Sequence, residues 1–82
     1  MTVEEFEIKI LPVNIKLFQF ARRFLHEKEE AEDAVQEVFI KLWKHRNNLD
    51  KLENVEAYAM KITRNHCIDK LIMKKNVVFE TK

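Results

Sequence analysis

Four residues stand at three- and four-residue spacing in the middle of the chain: Asp33, Gln36, Glu37 and Ile40. On a helix they share one face. The opposite face carries Ala31, Ala34, Val35, Val38, Phe39 and Leu42, an apolar stripe of helical period. One side therefore builds a core, and the other offers two carboxylates, an amide and an isolated aliphatic. Carboxylates meet basic side chains and the aliphatic meets an apolar spot, so the set suits docking on a partner. A purely solvated face has no need of Ile40. The acids also stand toward the start of the helix, where they complement its dipole. That accounts equally well for Asp33; Glu37, two turns in, is less easily explained this way.

A second constellation lies near the C-terminus. Lys61, Arg64 and Lys75, with Ile68 between them, form a row along one side of a helix, and Tyr58 and Asn65 stand beside it. Cations in a row can track a phosphate backbone. An amide can bond a base edge, and an aromatic ring can stack on an unpaired base for about 1–3 kcal/mol. This combination suits single-stranded DNA better than duplex. Two readings of Tyr58 stand: a base-stacking ring, or a core residue with its hydroxyl at the rim.

Other chemistry is poorly served. The chain has no glycine, so it has no glycine-rich phosphate cradle. His66 and Cys67 are adjacent and point about 100° apart on a helix, while His26 and His45 are distant in sequence, so nothing has zinc-ligand spacing. No Ser/His/Asp arrangement is supported by spacing. Neither a catalytic activity nor a cofactor is expected. Cys67 is the single cysteine and cannot form an internal disulfide, which fits a reducing cytoplasmic compartment. No apolar run approaches the roughly 18 residues of a membrane span, and no signal segment opens the chain.

Net charge is only +1, but it is unevenly spread. Residues 1–40 hold five Lys/Arg and nine Asp/Glu, a net −4, and residues 41–82 hold ten and five, a net +5. Such asymmetry suggests two partners of opposite sign, the alternative being that the charges are solvated helix faces.

The elements that must position these residues are helices. With 82 residues, no glycine and one proline, the composition argues against hairpins and sheets and predicts a small all-α domain of three to four helices. The first helical segment spans about Glu4 to His26, broken near Pro12 into two nearly continuous pieces, because proline lacks the amide donor and clashes with the preceding turn. The second runs from about Glu29 to Arg46. A loop with turn-favouring Asn47, Asn48 and Asp50 follows. Asn54 is the expected N-cap of a third helix, about Val55 to Lys75. The domain is expected over residues 1–75, with 76–82 the start of a linker or disordered tail.

The stretch AEDAVQEVFIKLW (Ala31 to Trp43) resembles the second conserved region of bacterial sigma factors, specifically the extracytoplasmic-function (ECF) group. The block AYAMKITRNHCIDKL (Ala57 to Leu71) resembles that family's promoter-melting and −10-binding segment. The two occur in the family's order and, together, the likeness covers about Phe18 to Lys75. The resemblance implies that Asp33, Gln36, Glu37 and Ile40 dock on the clamp helices of the largest subunit of core RNA polymerase. It implies that the loop of Asn47, Asn48, Leu49, Asp50, Lys51, Leu52 and Glu53 captures a base flipped from the −10 promoter element, and that Lys61, Arg64 and Asn65 hold the melted non-template strand. An anti-sigma factor is a usual partner. Full-length members also carry a domain for the −35 element, so the chain is expected to be a fragment.

The chain departs from the family pattern at Ala59, where a bulky aliphatic is usual, at Met60, where an aromatic is frequent, and at His66, where an aliphatic is frequent. Leu71, Ile72 and Met73 thin the basic end of the helix. Asp69, at the edge of the apolar side, is expected to find Arg22 or Arg23 within about 6 Å, since an unpaired buried carboxylate is costly. Two rivals remain open: a helical protein-interaction module with no DNA role, and a duplex-binding helix-turn-helix. The latter uses a tight turn of three or four residues, unlike the long RNNLDKLEN connection.

Overall fold

The computed structural model describes residues 1–80, with side chains through Met73. The order is α1 (Val3–Lys9), a 3₁₀ turn (Leu11–Val13), α2 (Asn14–Phe24), α3 (Lys28–Lys44), the single-turn α4 (Arg46–Leu49) and α5 (Val55–Glu80). The fold is all-α, as the composition predicts, and no strand occurs among the described residues.

The break at Pro12 has a local cause. Thr2 and Glu5 start α1 with a reciprocal cap: the Glu5 amide donates to Thr2 Oγ1 at 3.1 Å and the Thr2 amide to Glu5 Oε1 at 3.4 Å. The Ile10 amide still reaches the Phe6 carbonyl at 2.8 Å. Pro12 has no amide to continue the ladder. The chain tightens instead into a 3₁₀ turn, with the Val13 amide on the Ile10 carbonyl at 2.9 Å, and α2 follows directly.

Helices α2, α3 and α5 pack against one another. Leu17 and Ala21 enter from α2, Ala31, Ala34, Val35, Val38 and Leu42 from α3, and Ala59, Thr63 and Cys67 from α5. Phe6, Ile10, Leu25 and Leu49 complete the core. Four alanines at the contacts let the helices approach closely. Ala59 is one of them, so the departure from a bulky aliphatic is accommodated by packing. Thr63 solves its own burial: its hydroxyl donates to the Ala59 carbonyl at 2.8 Å. Phe6 meets Trp43 edge-to-face at 5.1 Å between centroids, and the Arg46 guanidinium covers the same indole at 4.1 Å while donating to the Trp43 carbonyl at 3.0 Å.

Asn54 caps α5, with its Oδ1 accepting from the Ala57 amide at 2.9 Å. Several details differ from the sequence reading. The loop after α3 contains the extra turn α4. Helix α5 continues to Glu80, through the stretch expected to open a linker. Leu71, Ile72 and Met73, which thin the basic end of α5, are all exposed. Asp69 is also exposed and forms no ion pair with Arg22 or Arg23. The expected pairing assumed a buried carboxylate; a hydrated one needs no partner.

Candidate functional site

Helix α3 turns Ala31, Ala34, Val35, Val38 and Leu42 inward, and this leaves Asp33, Gln36, Glu37 and Ile40 exposed together on its outer face. Ile40 keeps 55% of its surface in solvent. Grooves flank this face on both sides. One, of about 330 Å³, lies toward α2 and the 3₁₀ turn and includes Leu11, Phe18, Gln36 and Phe39. The other, of about 250 Å³, lies toward α5 and is lined by Glu30, Asp33, Lys70 and Met73.

Glu37 is not a free carboxylate. The His66 Nε2 atom lies in direct contact with its Oε2 atom, and Lys70 Nζ is 3.8 Å from the same oxygen. The His66 Nε2 atom is buried and makes no aligned hydrogen bond, so this is a close contact and not a directed bond. Two side chains of α5 therefore hold one of the four docking residues of α3. His66 and Lys70 were missed as site residues. Their four-residue spacing places them on one side of α5, but only the packing of α5 on α3 shows that this side meets Glu37.

The loop forms a shallow cavity of about 170 Å³ lined by His45, Asn48, Leu49, Leu52 and Tyr58. Tyr58 is 37% exposed and lines this cavity. Leu49, expected within the base-capturing loop, is only 1% exposed: it is a core residue whose edge reaches the cavity. It is buried because α4 turns it back under α3. Asp50 is engaged by the Met1 α-ammonium group at 2.8 Å. Asn47, Asn48 and Lys51 are exposed. His45, at the α3–α4 junction, was missed because its reach depends on the unforeseen turn α4.

On α5, Lys61, Arg64 and Asn65 are exposed beyond Tyr58. An Arg64 N–H donates to Asn65 Oδ1 at 3.3 Å, which leaves the Asn65 amide hydrogens directed to other acceptors. The Lys75 side chain lies outside the described residues. Cys67 is fully buried, and burial pushes its thiol pKa above the ordinary 9.0, with the Lys70 ammonium opposing the shift. Among the described residues no group of three or more His, Cys, Asp or Glu could hold a metal ion, and no helix is long and apolar enough to cross a membrane.

The described residues form a small helical domain with exposed side chains and shallow grooves on its helix faces. A model of the sigma-70 region 2 family matches residues 14–76, and the chain belongs to that family. Region 2 is a transcription-factor domain and not an enzyme family; it serves sigma factors in binding core RNA polymerase and recognising the −10 promoter element. Neither the comparison with curated proteins nor that with solved structures gives a match.

Proposed function

We propose that this domain is the region 2 of an ECF-type sigma factor, working in the bacterial cytoplasm. Its α3 face docks on the clamp helices of core RNA polymerase, and its loop and α5 read and hold the melted −10 strand. The observation that carries this reading is the α3 face itself: Asp33, Gln36, Glu37 and Ile40 are all exposed, and Ile40 is exposed on a helix whose other aliphatic residues, Ala31, Ala34, Val35, Val38 and Leu42, are buried.

In this reading Asp33 and Glu37 attract basic side chains of the clamp and Ile40 fills an apolar spot. His66 and Lys70 hold the Glu37 carboxylate in place before docking. On the DNA side, the cavity between α4 and Tyr58 receives an unstacked base. Its polar groups are Asn48 and His45, and its apolar walls are Leu52 and the Leu49 edge. Flipping a base costs a few kcal/mol, which stacking on Tyr58 and backbone contacts from Lys51, Lys61, Arg64 and Lys75 offset. Asn47, Asp50 and Asn65 border this path. An anti-sigma protein that covers the α3 face would compete with polymerase. Residues 1–75 are the working unit.

The test is a titration of fluorescently labelled protein with purified core RNA polymerase, repeated with Asp33→Lys combined with Glu37→Gln. Saturable binding that is lost in the double variant, with helicity unchanged, supports the reading. Equal binding by both forms would leave a general helical interaction module as the better account.

A further inference from the structure

We propose that His66 makes docking of the α3 face depend on pH: its imidazolium competes with the partner's cations for the Glu37 carboxylate, so a basic partner binds more tightly once His66 is neutral. The inference rests on the docking reading of α3 and adds its regulation. Histidine is the side chain that ordinarily changes charge between about pH 5 and 8. His66 stands where the family frequently has an aliphatic, and an aliphatic has no charge to change. The imidazole is mostly buried against α3, with its Nε2 atom in contact with Glu37 Oε2, whereas Glu37 is half exposed. Glu37 thus stands between α5 and whatever docks on α3.

The contact changes character with protonation. A neutral imidazole offers Glu37 neither an aligned hydrogen bond nor a charge. An imidazolium offers a charge in a place shielded from water, where opposite charges attract more strongly than in bulk solvent. Lys70 already holds the same oxygen, with Nζ at 3.8 Å. With His66 neutral, Glu37 and Lys70 cancel; with His66 charged, the three groups carry a net positive charge where a basic partner needs a negative one. The other charges on this side are Asp33 and Glu30 of α3, which line a groove with Lys70, Lys41 one turn beyond Glu37, and exposed Asp69 on α5. The Cys67 thiol is buried, and burial raises its pKa above 9.0, so it stays uncharged over this range. The cations of α2 lie elsewhere: Lys16 pairs with Glu56, Arg22 covers the Phe18 ring and Arg23 lines a groove with Met60. Docking therefore favours neutral His66 and expels its proton. Affinity rises with pH, and by the same linkage a docked partner makes His66 harder to protonate.

The experiment is a titration of the labelled full chain with core RNA polymerase at several points from about pH 6 to about pH 8, at fixed ionic strength, run in parallel on His66→Leu and His66→Gln. Comparing chains at each pH cancels the titration of polymerase and of His26 and His45. Relative to both variants, the affinity of the unaltered chain should rise by up to about fivefold across that range, the size of one exposed ion pair. Lys70→Gln removes the other competitor and should tighten binding at every pH while the slope remains, a gain that partial unfolding cannot produce. In the free chain, the NMR signal of the Glu37 carboxyl carbon should follow the titration of the His66 ring. Saturable binding whose ratio to that of His66→Leu is independent of pH, or falls as pH rises, overturns the inference and leaves the docking reading standing. Weaker binding by Lys70→Gln overturns the competition for Glu37. No saturable binding at any pH removes the docking reading and this inference with it.

Discussion

Replacing Ile40 by serine should weaken polymerase binding without weakening the domain. A buried isoleucine side chain contributes about 1.5–3 kcal/mol. In the free protein Ile40 is 55% exposed. Docking that covers the remainder therefore recovers roughly half of that range, about 0.8–1.6 kcal/mol. At about 1.4 kcal/mol per tenfold, this corresponds to a loss of about 4- to 14-fold in affinity. The free domain should hardly notice, because isoleucine and serine have similar helix propensities and exposed substitutions usually stay within about 0.5 kcal/mol. Leu42, half a turn along the same helix and only 1% exposed, is the contrast: Leu42→Ala should cost about 2–5 kcal/mol of stability. Urea unfolding of both variants, with a polymerase titration of Ile40→Ser, measures the two effects separately. A fall in the unfolding midpoint of Ile40→Ser comparable to that of Leu42→Ala would refute the outward placement of α3. Unchanged polymerase affinity would refute its docking role.

Three further outcomes follow from other sites. Cys67, buried with its pKa raised above 9.0, should react with a thiol reagent only through unfolding. Because its folded pKa is the higher one, its contribution is fully present below about pH 9 and is lost as pH rises beyond, by up to about 1.4 kcal/mol per pH unit; the same alkaline slope in Cys67→Ala would dismiss this. Tyr58→Ala should weaken binding to a melted −10 oligonucleotide by about 1–3 kcal/mol while Tyr58→Phe retains it, and equal losses in both would show that the ring does not stack. His66→Leu removes a buried nitrogen without a directed hydrogen bond, so thermal unfolding should be unchanged or raised by up to about 1 kcal/mol; a clear loss of stability would mean that the contact with Glu37 outweighs its desolvation.

Local features were legible in the sequence wherever the cause was local. Pro12 lacks a donor, so the first helix had to break there. Asn54 precedes a helical run, and its side chain caps α5. The stripe from Ala31 to Leu42 marked the inner face of α3, and every member except half-buried Phe39 is fully buried. The turn α4 was not legible, because a single turn of RNNL has no period to reveal it and polar residues in that stretch favour loops equally. With α4 missed, the inward rotation of Leu49 and the presence of His45 at the cavity were missed too.

The sequence by itself determined the all-α class, the break at Pro12, the cap of α5 and the two chemically distinct helix faces, since each depends on neighbours within a turn or two. The tertiary structure alone decided which groups from different helices meet. The contact of His66 and Lys70 with Glu37 and the hydration of Asp69 depend on how helices rotate against one another. That rotation is set by the summed packing of Leu17, Ala21, Ala34, Val38, Ala59 and Cys67, and no short stretch of sequence contains it.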